Sequence, residues 1–76
     1  MTKQTILHNR IKGALADASV PNKQLAEALG VTETTVSFWC TNSRQPSIET
    51  LFSIADYLKI DVRDLLAPNK YARPGR

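Results

Sequence analysis

Apolar residues recur along most of this 76-residue chain at helical spacing, and each recurrence stops at a residue that ends helices. Leu7, Ile11, Ala14, Leu15 and Ala18 share one helical face and predict a first helix over 5–18. Gly13 sits inside it, at a cost of roughly 1 kcal/mol against alanine. Pro21 is tolerated only near a helix start, so a second helix begins close by, with Leu25, Ala26 and Leu29 as its buried stripe. Gly30 ends that helix as a left-handed cap. Thr32 is a good N-cap for a third helix over 33–41. Val36 and Trp39 point one way from it; Glu33, Thr34, Ser37 and Phe38 point elsewhere. Asn42 can take the left-handed cap that follows. Ser47 caps a fourth helix, with Glu49 near its positive end and Ile48, Leu51, Phe52, Ala55 and Leu58 as its apolar face. Asp61 and Asp64 resemble a capping box for a short fifth helix docked by Val62, Leu65 and Leu66, and Pro68 stops it. The pattern is all-α: five helices and no strands over 5–67, flanked by a flexible arm over 1–4 and a flexible basic tail over 68–76.

Composition narrows the class. A single cysteine, Cys40, excludes an intrachain disulfide, and with one histidine, His8, it excludes a Cys/His zinc site. No cofactor is implied. The fold must rest on packing, for which 42% hydrophobic residues suffice. No apolar run approaches the roughly 18 residues of a membrane span, and no signal peptide is visible. A free thiol without an export signal fits the cytoplasm. A net charge of +3 favours an anionic partner only mildly.

The informative unit spans 22–42. Two short helices meet at the tight turn Gly30-Val31-Thr32, and the second opens on small polar residues. Thr32-Glu33-Thr34-Thr35 is poor in helix formers, where an ordinary surface helix would carry Lys and Glu. An α-helix fits the major groove of DNA with its first residues at the base edges, and short polar side chains permit close approach.

The run from Asn22 to Trp39 resembles the phage repressor/Cro-like helix-turn-helix family, also called the xenobiotic response element family. The resemblance is carried by Leu25-Ala26, Leu29-Gly30-Val31 and Val36-Ser37-x-Trp39. It continues in Pro46-Ser47-Ile48-Glu49-Thr50-Leu51 and Asp64-Leu65-Leu66, and covers most of the chain. It implies a five-helix lambda-repressor-like domain that binds double-stranded DNA as a transcriptional regulator, with a repressor expected. Glu33, Thr34, Ser37 and Phe38 would read bases. Asn22, Thr32, Ser43, Arg44 and Gln45 would hold phosphates and sugar. Two departures stand out. The family's glutamate after the tryptophan is Cys40, and its usual arginine partner in helix one is Leu15, so an apolar contact replaces an ion pair. The family's basic residue before the tryptophan is Phe38.

Structural readings account for several residues. Trp39, spaced with Val36, is core rather than a base-stacking platform. Cys40 is an inert thiol rather than a redox sensor. Arg44 touches phosphate, given its place beside the third helix; Phe38 divides between groove contact, dimer contact and partial burial. Catalysis finds no support: nothing places a base near Cys40 or a serine, and no phosphate-cradling glycine loop exists. One reading helix covers few base pairs, so a homodimer on an inverted repeat is expected, through 59–66, with no small-molecule effector evident. The alternative is a protein-interaction module, an antitoxin or adaptor, on the same fold. An RNA-binding variant is weaker, since helices do not enter the narrow A-form major groove.

Overall fold

The computed structural model describes residues 7–71. The expected arm over 1–4 and the end of the basic tail lie outside the described residues. Within them the order is α1 (Ile11–Ala18), α2 (Asn22–Leu29), α3 (Glu33–Cys40), α4 (Ile48–Leu58) and a short 3-10 turn, η1 (Val62–Leu65). The all-α class is as expected. The count is not: four α-helices stand where five helices were predicted, and the fifth is a single 3-10 turn.

The first helix also starts later than its apolar periodicity suggested. Residues 7–10 are not helical; Leu7 is exposed, and Asn9 forms an isolated antiparallel bridge with Leu66. Arg10 N–H donates to Leu65 O (2.8 Å), and Ala67 N–H donates to His8 O (2.9 Å). His8 therefore belongs to an extended segment, not to helix one. The cause is Asn9, which is 4% exposed and bonded on every side. Its Oδ1 accepts from Ile11 N–H (3.0 Å), satisfying an otherwise orphan donor at the start of α1. Its Nδ2 donates to Trp39 O (3.0 Å) and to Gln45 Oε1 (2.7 Å). A helix running through residue 9 would break this arrangement.

Asn42 completes it from the far side. At φ 60 it takes the left-handed conformation expected of it. Its Oδ1 accepts from His8 N–H (2.9 Å), Asn9 N–H (3.0 Å) and Gln45 Nε2 (3.2 Å), and its Nδ2 donates to Asn9 O (3.2 Å). Three amide side chains thus tie the N-terminal segment to the loop after α3.

The other boundaries follow from their caps. Gly30 sits at φ 72, and the hydroxyls of Thr32 and Ser47 accept from Thr35 N–H and Thr50 N–H, each at 3.1 Å. Ser19 (φ 58) and Lys59 (φ 60) also turn left-handed, although neither residue type signals it. Asp61 Oδ1 accepts from Arg63 N–H (2.8 Å), and the Arg63 guanidinium folds back onto the same carboxylate (2.7 Å). The expected reciprocal box with Asp64 is replaced by this local pairing and by Asp64 N–H donating to Asp61 O.

The core gathers Ile11 and Leu15 from α1, Leu25 and Ala26 from α2, Val36 and Trp39 from α3, Leu51, Ile54 and Ala55 from α4, and Leu65 from η1. The inner stripe of α4 is rotated from the expected one. Ile54 is fully buried, whereas Ile48 and Phe52 are 66% and 53% exposed. Leu51, Ile54, Ala55 and Leu58 keep i, i+3, i+4, i+7 spacing, and Ile48 and Phe52 fall to its edge. Leu15 and Cys40 border the same core, and the polar partner of Cys40 is Asn22, whose Oδ1 accepts from the thiol at 3.6 Å. Burial pushes the Cys40 pKa up, against the pull of nearby Lys12 towards the thiolate.

Three measurements test this packing. Asn9→Ala strands the Ile11 N–H and removes one of the two donors to Trp39 O, the other being Asn42 N–H, and should cost about 1–3 kcal/mol in urea unfolding; a loss near zero would show that the amide brace carries no stability. A Cβ at Gly13 meets nothing within 4 Å. Gly13→Ala should therefore raise stability by about 0.5–1 kcal/mol, and a lower melting temperature would contradict this. Because its pKa is raised, Cys40 should alkylate more slowly in native protein at neutral pH than in urea. Equal rates would mean that the thiol is not held protonated by its surroundings.

Candidate nucleic-acid interface

The turn between α2 and α3 is closed by main-chain bonds. Gly30 N–H donates to Glu27 O (3.4 Å) and Val31 N–H to Ala26 O (3.0 Å). The left-handed Gly30 then sends the chain sharply into Thr32, which opens α3. Helix α3 packs against α2 and, less extensively, against α1. Its grip on the body is Val36, fully buried, and Trp39, nearly so.

That grip fixes the opposite face. Thr32, Glu33, Thr34 and Phe38 are exposed, and Thr35 and Ser37 are half-buried. The four expected base readers, Glu33, Thr34, Ser37 and Phe38, therefore come together on the outer side of α3, as their positions around the helix required. Thr32 is committed to its cap: its Oγ1 accepts from Thr35 N–H and shares a hydrogen bond with Thr35 Oγ1 (2.9 Å).

The loop after α3 folds back onto the helix end. Ser43 N–H (3.0 Å) and Arg44 N–H (3.3 Å) both donate to Phe38 O. Thr41 Oγ1 donates to Ser37 O (3.1 Å) and pairs with Ser43 Oγ (2.8 Å). The Arg44 guanidinium lies over the Phe38 ring, 5.1 Å from its centroid. Gln45 is exposed and is also bonded within the fold. Its Oε1 accepts from Asn9, and its Nε2 donates to the main-chain and side-chain oxygens of Asn42. Both ends of its amide are thus bonded within the protein, so Gln45 braces the loop, and it, Ser43 and Arg44 are all exposed.

Asn22 stands in the first turn of α2, half-buried. Its Oδ1 accepts from the Cys40 thiol. Cys40 is eighteen residues from Asn22, so only the fold joins them.

Charge is distributed rather than concentrated. Of the ten basic residues, Lys3, Arg73 and Arg76 lie outside the described residues; the other seven match the seven acidic ones. The described body therefore owes any attraction for an anion to where individual cations are placed, Lys23 on α2 and Arg44 after α3 among them. Among the described residues no group of His, Cys, Asp and Glu could hold a metal ion, and no helix is long and apolar enough to cross a membrane.

Comparison with known proteins agrees with this geometry. The model of the helix-turn-helix family matches residues 14–65, well over half of the chain. Among solved structures, a candidate DNA-binding protein from Bacteroides fragilis is similar, with 42% sequence identity and a TM-score of 0.79. The match covers 82% of this chain and 100% of that one. No curated protein matches the chain. From α1 through η1, with the tight turn at Gly30 and the anchored α3 at its centre, the chain belongs to the helix-turn-helix family, whose members are DNA-binding regulators rather than enzymes.

Proposed function

We propose that this protein represses transcription by binding a specific double-stranded DNA sequence, with α3 laid in the major groove. The observation that carries this reading is the outward polar face of α3, held by Val36 and Trp39 on the opposite side. Thr34, at the exposed front of the helix, reads a base: its methyl can meet a thymine methyl and its hydroxyl a base edge. Glu33 accepts from a cytosine amino group, and Ser37 lies one turn behind Thr34 on the same side. Asn22, Ser43 and Arg44 hold the sugar-phosphate backbone on either side of the groove, and Thr32 adds its main chain at the helix start. Such contacts set register without reading sequence.

One α3 reads only a few base pairs, so the regulator works as a homodimer on an inverted repeat, with the two helices about 34 Å apart on one face of the duplex. Ile48 and Phe52, four residues apart on α4 and both exposed, supply an apolar surface for that pairing in addition to the expected segment at 59–66. Bound at a promoter, such a dimer occludes polymerase.

Selection from random duplex DNA at low salt should recover a palindrome. On the recovered site, Thr34→Ala should change the preference at one position in each half. Arg44→Ala should weaken all sequences alike. No enrichment from the random pool would favour the protein-interaction reading, and equal losses on every sequence from Thr34→Ala would remove its base-reading role.

A further inference from the structure

Phe38 is unexpected where it stands. The rest of the outer face of α3 is small or charged, yet residue 38 places a phenyl ring there, 37% exposed and absent from the core cluster. Membership of the core does not explain it; one side-chain contact to the following loop does, set on main-chain bonds that any residue at 38 could make. The Phe38 carbonyl accepts from the main-chain N–H groups of both Ser43 and Arg44, which fixes where residue 44 leaves the helix end. The Phe38 ring then lies under the Arg44 guanidinium, at 5.1 Å. Among the described residues no carboxylate lies within ion-pair distance of Arg44.

The difference between an aromatic and an acidic partner matters here. A carboxylate would occupy the N–H edge of the guanidinium and cancel its charge. A ring attracts the cation through its π face and leaves N–H donors and the full charge available. An arginine held in this way is oriented without being neutralised, which suits it to grip a phosphate oxygen with two parallel hydrogen bonds.

We infer that Phe38 is a positioning residue for DNA binding: its ring holds the Arg44 guanidinium in place for a backbone phosphate, and it contributes to affinity through Arg44 rather than by reading a base. This rests on the reading of Arg44 as a phosphate contact. It also accounts for the departure at this position, where a basic residue is usual. The positive charge is supplied from residue 44 instead, and the aromatic ring serves as its support.

The test is a double-mutant cycle on the selected duplex, with affinity measured across a salt series. An exposed cation–π pair corresponds to about a two- to five-fold effect on an equilibrium. Phe38→Leu should therefore weaken binding about two- to five-fold on every sequence, and Phe38→Tyr should restore it. Although residue 38 is uncharged, Phe38→Leu should flatten the salt dependence towards that of Arg44→Ala, which itself lowers the slope by about 0.9 for one lost phosphate. In an Arg44→Ala background, Phe38→Leu should cost nothing further. Far-ultraviolet circular dichroism and melting temperature establish that each variant is folded.

Additive losses in the cycle would overturn the inference, as would a Phe38→Leu variant that alters the preferred base while the salt slope stays fixed. Both outcomes leave Arg44 as a phosphate contact and the DNA-binding function intact. If instead Arg44→Ala leaves the salt slope unchanged, the phosphate role of Arg44 fails, and the positioning role of Phe38 fails with it.

Discussion

Helix α3 is anchored in the core by its two buried side chains, Val36 and Trp39, and the rest of the outer surface depends on that hold. The helix is eight residues long, too short to be stable alone in water. Its identity as a helix comes from docking. Truncating a buried tryptophan typically costs about 3–5 kcal/mol, a large share of the roughly 5–15 kcal/mol available to a small domain. With Val36 and Trp39 inward, the positions at 33, 34 and 38 have no choice but to face out. Presentation of the polar face is thus a consequence of core packing, and the side chains of Glu33 and Thr34 on that face have no part in the core.

A second constraint lies where α3 ends. Asn9, Asn42 and Gln45 form a closed set of amide contacts that joins the segment before α1 to the loop after α3. The loop is therefore not a free connector. Its main chain is tied to Phe38 on one side and its Gln45 side chain to Asn9 on the other, and Arg44 projects from between the two anchors. The same loop that would accompany a DNA backbone is braced from the opposite end of the sequence. Pre-ordering of this kind reduces what must be ordered on binding.

Much of this was legible in the sequence, for identifiable reasons. Gly30, Thr32, Asn42 and Ser47 announce their backbone conformations by residue type, and all four take the positions expected of them. The two-sided character of α3 follows from spacing alone. The start of α1 was not legible, because Leu7 continues the apolar periodicity while Asn9 interrupts the helix through partners 30 and 36 residues away. Ser19 and Lys59 adopt left-handed turns without a residue type that favours them. On α4, periodicity could not decide between Ile48 with Phe52 and Ile54, since both choices are apolar and only the packed neighbours select one. At the candidate site, the outward residues were legible, whereas the internal employment of Gln45, the thiol contact of Asn22 and the stacking of Arg44 on Phe38 required the fold.

The described body is balanced between basic and acidic side chains, so attraction to a polyanion must arise from where a few cations are placed rather than from a general field. The central claim, that the outer face of α3 and the loop after it meet the duplex, is tested most directly by mapping amide chemical shifts of labelled protein during titration with the selected DNA. The account predicts the largest changes at 32–38, at 43–44 and around Asn22, with the middle of α1 nearly still. Changes confined to α4 and η1, with 32–38 unmoved, would contradict it.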